Sequence, residues 1–88
     1  MSRTIWKFTL GADCTHEIPA GSQILSVREQ HGEVCMWAVV DPGYLKVVRR
    51  FVLVGTGHPL PADATLKFLG TAQLDQGFLV LHAFEVLP

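Results

Sequence analysis

Eighty-eight residues, 49% of them apolar, with seven basic residues set against eight acidic ones for a formal charge of −1, leave room for one domain with one thin core. The scattered, nearly balanced charge argues against a protein held to nucleic acid by phosphate neutralisation. No apolar run approaches membrane-spanning length, residues 1–6 lack a signal-peptide pattern, and two cysteines are too few for a secreted disulfide scaffold; the expectation is a soluble, cytoplasmic protein without a cofactor.

Period two dominates wherever a period can be read. Residues 4–10 alternate, with Ile5, Lys7 and Thr9 on one side and Trp6, Phe8 and Leu10 on the other, so the aromatic side is expected to face inward as a first strand. Gly11-Ala12-Asp13-Cys14-Thr15 is polar and reads as a turn. His16-Glu17-Ile18 is extended because the residue before Pro19 is pushed out of helical space, and Pro19-Ala20-Gly21-Ser22 supplies a fixed φ and a permissive glycine for a tight turn.

Residues 23–30 form the next strand, and His31-Gly32 is a two-residue hairpin connection to residues 33–40. That second arm, from Val34 to Val40, is apolar on both sides and belongs at the centre of a sheet. Asp41-Pro42-Gly43 breaks it. A further strand opens at Tyr44 or Leu45 and runs to Val54, interrupted by Arg49-Arg50; adjacent strand residues point to opposite faces, so one arginine is expected to reach an internal or intersubunit acid while the other meets solvent.

Gly55-Thr56-Gly57-His58-Pro59-Leu60-Pro61 is the most irregular segment, and Ala62-Asp63-Ala64 has room for one helical turn. Residues 66–74 resume a strand, Asp75-Gln76-Gly77 turns it, and residues 78–87 complete a C-terminal hairpin. The predicted fold is all-β: a small antiparallel barrel or sandwich of five or six strands in a single domain spanning residues 1–88. The last strand offers apolar side chains to both faces, and so short a chain covers only one of them with its own core. Phe78, Val80, His82 and Phe84 are therefore the expected interface of a homo-oligomer.

No residue pattern defines a catalytic site. Cys14 and His16 are ligand types, but structural zinc takes four ligands at paired spacings, and no metal is expected. Cys35 and His82 invite a nucleophile and base reading, against which Cys35 sits in an apolar strand where a thiol is ordinarily an inert small hydrophobe. The glycines around Thr56 expose backbone donors, yet the Gly-Lys-Ser/Thr ending of a phosphate loop is missing. The sharper alternative gathers Thr56, Gly57 and His58 around a small anionic ligand, complemented by Arg49 or Arg50; the plainer one leaves a sharp inter-strand loop and arginines paired with Asp41, Asp63, Glu33 or Glu85. Trp6 and Trp37 have core readings that outweigh base stacking.

Six segments carry a resemblance. Ile5-Trp6-Lys7-Phe8, Ile18-Pro19-Ala20-Gly21 leading to Ile24-Leu25-Ser26-Val27, Trp37-Ala38-Val39-Val40-Asp41-Pro42, Gly55-Thr56-Gly57-His58-Pro59, Phe68-Leu69-Gly70-Thr71 and Val80-Leu81-His82-Ala83-Phe84-Glu85 together resemble a family of small, largely uncharacterised proteins of bacteria and their phages. The resemblance covers nearly the whole chain and brings no catalytic assignment. It implies a phage or prophage accessory protein, working in the host cytoplasm by binding a host protein such as a defence component. Two further readings stand beside it: sequestration of a small anionic ligand such as a signalling nucleotide, and a small hydrolase using His58 or His82.

Overall fold

The computed structural model describes residues 2–88. Among these, seven strands follow one another: β1 (Thr4–Leu10), β2 (Asp13–Pro19), β3 (Gln23–Gln30), β4 (Glu33–Val40), β5 (Lys46–Gly55), β6 (Thr65–Leu74) and β7 (Leu79–Leu87). They form two antiparallel sheets, β1-β4-β3 and β2-β5-β7-β6. The sheets pack face to face as a sandwich, and among the described residues they do not close into a barrel.

The expected count of five or six strands is thus corrected to seven, and the strand missing from it is β2. Its polar start was expected to turn, but Asp13, Thr15 and Glu17 form the solvated row of an edge strand while Cys14, His16 and Ile18 alternate inward. An edge strand with one wet face needs no apolar run. The helical turn expected at Ala62-Asp63-Ala64 is instead an irregular turn with Asp63 at φ 58°.

Alternation places the core. Leu10 on β1, Ile18 on β2, Val27 on β3, Val34, Met36, Ala38 and Val40 on β4, Phe51 on β5, Ala72 on β6 and Ala83 on β7 are all buried and in mutual contact. β4 is the middle strand of its sheet, as its two-sided apolarity requires. The β3–β4 hairpin turns through His31 (φ 53°) and Gly32 (φ 83°), the pair of left-handed residues that a two-residue connection compatible with strand twist demands.

The two long sides of the sandwich are built differently. On one side β3 and β6 approach so closely that a Cβ on Gly70 would lie 3.0 Å from Val27 Cβ. A bulge at Leu69 puts Gly70 there and changes the phase of β6, so that Leu66 and Phe68 before it and Thr71 and Gln73 after it share the outward side. On the other side, His16 Nε2 donates to the Thr9 carbonyl at 2.8 Å and its ring lies between Phe8 and Phe51, with centroids 5.2 and 6.1 Å away. A carbonyl only accepts, so the proton of His16 is fixed on Nε2.

Candidate functional site

Two arginines adjacent in sequence occupy opposite faces of β5. Arg49 points inward, where Nε and Nη2 donate to the two carboxylate oxygens of Glu85 at 2.6 and 2.7 Å and Nη1 donates to the Ser22 carbonyl at 2.9 Å. Glu85 is the buried acid of the core, and this three-bond clamp ties β5 and β7 to the β2–β3 turn. The expectation of one internally paired arginine is met here. Arg50 points outward and pairs with Asp13 through Nε and Nη2, at 3.0 and 2.8 Å. The hydrogen bonds from Arg50 hold the Asp13 carboxyl below its ordinary range, outweighing the opposing desolvation, and the Asp13 carboxylate raises Arg50 in return.

The expected interface residues other than Phe78, and the expected anion-site residues other than Arg49, gather on the outward face of the β2-β5-β7-β6 sheet. Register sets the rows: Arg50, Val52 and Val54 of β5 lie beside Val86, Phe84 and His82 of β7, and these lie beside Leu66, Phe68 and Thr71 of β6. Val80, His82 and Phe84 share one row, as their alternation requires. Phe78 does not join it, because the turn through Asp75, Gln76 and Gly77, all at positive φ, delays β7 to Leu79 and leaves Phe78 in helical geometry, 86% exposed.

Leaving β5, the chain arches over this same face. A turn closed by the His58 amide on the Gly55 carbonyl at 3.0 Å, with Gly57 at φ 86°, lays the His58 ring against Gly55, where a Cβ would meet Nδ1 at 3.0 Å. The arch divides two recesses. A cleft of ≈ 550 Å³ on the β2 side is lined by Asp13, Arg50, Val52, Val54, His58 and Leu60, among others. A smaller hollow of ≈ 200 Å³ on the β7 side is lined by Val54, Thr56, His58, Leu60, His82 and Phe84, with Gly55 and Gly57. Inside it His82 is bracketed by two hydroxyls, Thr56 Oγ1 at 2.7 Å from Nε2 and Thr71 Oγ1 at 2.9 Å from Nδ1.

Of the residues considered for an anion site, Arg50, Thr56, Gly57 and His58 therefore surround one arch, while Arg49 lies across the sheet from it. Arg50 reaches the cleft already engaged by Asp13. Cys35 and His82 stand on the outer surfaces of different sheets and are not brought together. Cys14 and Cys35 are both free thiols, and Cys14 Sγ accepts the Gly11 amide at 3.4 Å. Among the described residues no group of three or more His, Cys, Asp or Glu is placed to hold a metal ion, and no helix is long and apolar enough to cross a membrane. The Thr56–His82–Thr71 bracket was not legible in the sequence, because its members come from a loop, a strand and a bulged strand whose register nothing local announces.

What this face carries besides the arch is apolar surface. Phe68 is 57% exposed, Leu60 53% and Val48 67%, beside the partly buried Phe84, Val80, Val86 and Leu66. Phe68 and Phe84 meet edge to face, 5.6 Å between ring centroids.

The match to a family covers residues 1–88, the whole sequence. The chain belongs to DUF7352, a domain of unknown function. No curated protein and no solved structure matches it. For this member of the DUF7352 family the geometry of the β2-β5-β7-β6 face is thus the principal guide to function.

Proposed function

We propose that this protein works by binding rather than by catalysis: a phage or prophage accessory protein that docks a host protein, such as a defence component, in the host cytoplasm, and that associates with itself through the same face. The observation that carries the reading is the exposed apolar patch centred on Phe68 and Phe84, on a sheet whose other side already packs the core. Contiguous apolar surface rimmed by polar groups marks sites of association, and aromatic anchors supply most of the binding energy at such sites. Four strands about 4.8 Å apart and about nine residues long at about 3.4 Å each present roughly 590 Å² in plan. That is the scale of the ~800 Å² of accessible surface each partner contributes to a stable pair. The phage or prophage origin rests on the resemblance of the six sequence segments.

The test is capture from host lysate on immobilised wild-type protein and on Phe68→Glu. A polypeptide retained by the first and lost by the second supports the reading. Equal retention by both, or none by either, contradicts it.

A second reading draws on the cleft beside the arch, where Arg50 and His58 line one wall system together with Asp13. Sequestration of a small anionic ligand there requires Arg50 to exchange Asp13 for the ligand. Native mass spectrometry of the protein with a nucleotide mixture separates the two: a retained nucleotide lost on Arg50→Ala supports this reading, and retention indifferent to that change removes it.

A further inference from the structure

We propose that the outer edge of β2 is a second docking surface, which takes an extended protein segment carrying basic side chains at two positions four residues apart and apolar side chains facing the other way between them. This edge is separate from the patch around Phe68 and Phe84, and the inference does not rest on that patch.

Register identifies what β2 leaves open. The Leu53 amide donates to the Ala12 carbonyl at 3.0 Å and the Ala20 amide to the Leu45 carbonyl at 2.7 Å, in line with the pairing that sets Cys14 opposite Phe51, His16 opposite Arg49 and Ile18 opposite Val47. Bonded and unbonded pairs alternate along an antiparallel ladder. Cys14, His16 and Ile18 therefore bond β5, while Asp13, Thr15 and Glu17 turn N–H and C=O to the side where β2 has no neighbour. At the other three edges the chain itself intervenes. β3 and β6 meet where a Cβ on Gly70 would lie 3.0 Å from Val27, and on β1 the Thr9 carbonyl already accepts from His16. Edges are ordinarily protected by bulges or inward-pointing charges; β2 runs without a register shift, and its acids lie on the solvent side.

Charge selects the occupant. Asp13 and Glu17 stand on the exposed side of β2, one on each side of Thr15. Arg50 answers Asp13, whereas Glu17 pairs with no cation among the described residues. Lys46, two residues along β5 from the Val48 that faces Glu17, holds its Nζ over the Trp6 ring instead, 5.9 Å from the centroid. A second β2 laid antiparallel about Thr15 would set Asp13 against Glu17 at both ends, and like charges directly opposite one another disfavour that pairing. A segment with Lys or Arg at those two positions forms opposite-charge pairs there. Its intervening residues turn to the other face, towards the seam between the sheets, where Trp6, Phe8 and Cys14 are only partly buried and favour apolar neighbours.

NMR titration of the isotope-labelled full chain with the acetylated, amidated peptide Lys-Val-Thr-Val-Lys tests this. The expected result is a shift of the Thr15 and Glu17 amide signals, and no binding of Glu-Val-Thr-Val-Glu. In the antiparallel register the threonine amide of the peptide faces β2 and its valine amides face away. N-methylation of the threonine should therefore weaken binding about tenfold or more, and N-methylation of either valine should leave it unchanged. Thr15→Pro removes a bond from the protein's side at an edge position where proline takes nothing from the β2–β5 ladder, and should weaken binding to a similar degree, while Phe68→Glu should bind as the wild type does. No shift at millimolar peptide, shifts centred away from β2, equal binding of the glutamate peptide, or binding indifferent to methylation of the threonine amide each overturns the edge as a docking surface and leaves the Phe68 patch standing.

Discussion

The two outer surfaces of the sandwich are finished to different degrees. On the β1-β4-β3 sheet the outward rows carry Lys7, Thr9, Ser26, Arg28 and Gln30 around Ile5, Trp37 and Val39, and Lys7 Nζ donates to Gln30 Oε1 at 2.7 Å across β4. Lys7 stands opposite Trp37 and Gln30 opposite Glu33, so that bond passes over Cys35, which is 2% exposed although it points away from the core. Long polar side chains have thus roofed Cys35 with their stems while keeping their heads in water, although Ile5, farther along β1, stays 56% exposed. On the β2-β5-β7-β6 sheet no such roof spans Phe68, Phe84 and Val86. Association is therefore read from a contiguous outward apolar patch that nothing on its own chain crosses, not from a single exposed residue such as Ile5.

Substitutions sharpen this contrast between finished and unfinished surface. The largest effect belongs inside: Arg49→Ala leaves the buried Glu85 carboxylate without its cation, and urea unfolding should show a loss of about 3 kcal/mol. Gly70→Ala forces a methyl group to within 3.0 Å of Val27 Cβ, where β3 and β6 meet, at a cost of about 1–3 kcal/mol in the same measurement; a stability equal to wild type would show that the two sheets are not held as closely as described. Phe68→Glu should change monomer stability by less than about 0.5 kcal/mol, as exposed substitutions do, while abolishing self-association in light scattering. Lys7→Ala should likewise leave stability nearly unchanged and yet speed the reaction of Cys35 with a thiol reagent several-fold, because it opens the roof.

The smallest effect concerns the surface pair. Asp13 has its pKa lowered by Arg50 in the folded chain, so whatever the pair contributes is present above the unfolded carboxyl value of 3.8 and is lost as pH falls below it. Because both side chains of the pair are exposed, that contribution is small, and Arg50→Ala should barely move unfolding midpoints near neutrality. A clear loss at pH 7 would mean that Arg50 does more than meet Asp13.

Much of this arrangement could be read from residue order alone. The alternation of Trp6, Phe8 and Leu10, the glycine turn at His31-Gly32 and the two-sided apolarity of Val34 to Val40 are local signals, and β1, β3 and β4 follow them residue for residue. The split of Arg49 from Arg50 follows from the pleat itself. Only the His16-Glu17-Ile18 half of β2 is legible in the sequence, because an edge strand advertises itself weakly, and Phe78 reads as part of β7 because three consecutive positive φ values at Asp75, Gln76 and Gly77 leave no mark in hydropathy. What sequence could not supply was pairing across distance: that Arg49 takes Glu85 from among the acids available, that the bulge at Leu69 puts Phe68 outward, and that Thr56 and Thr71 converge on His82. These depend on register between strands that are far apart in the chain.

Hydroxyl-radical footprinting of the wild type, dilute and at hundreds of micromolar, puts both outer surfaces in one measurement. The account predicts that oxidation at Phe68 and Phe84 falls with concentration while that at Ile5 and Trp37 stays constant. Equal oxidation of Phe68 and Phe84 at both concentrations, or equal protection of both surfaces, would contradict it.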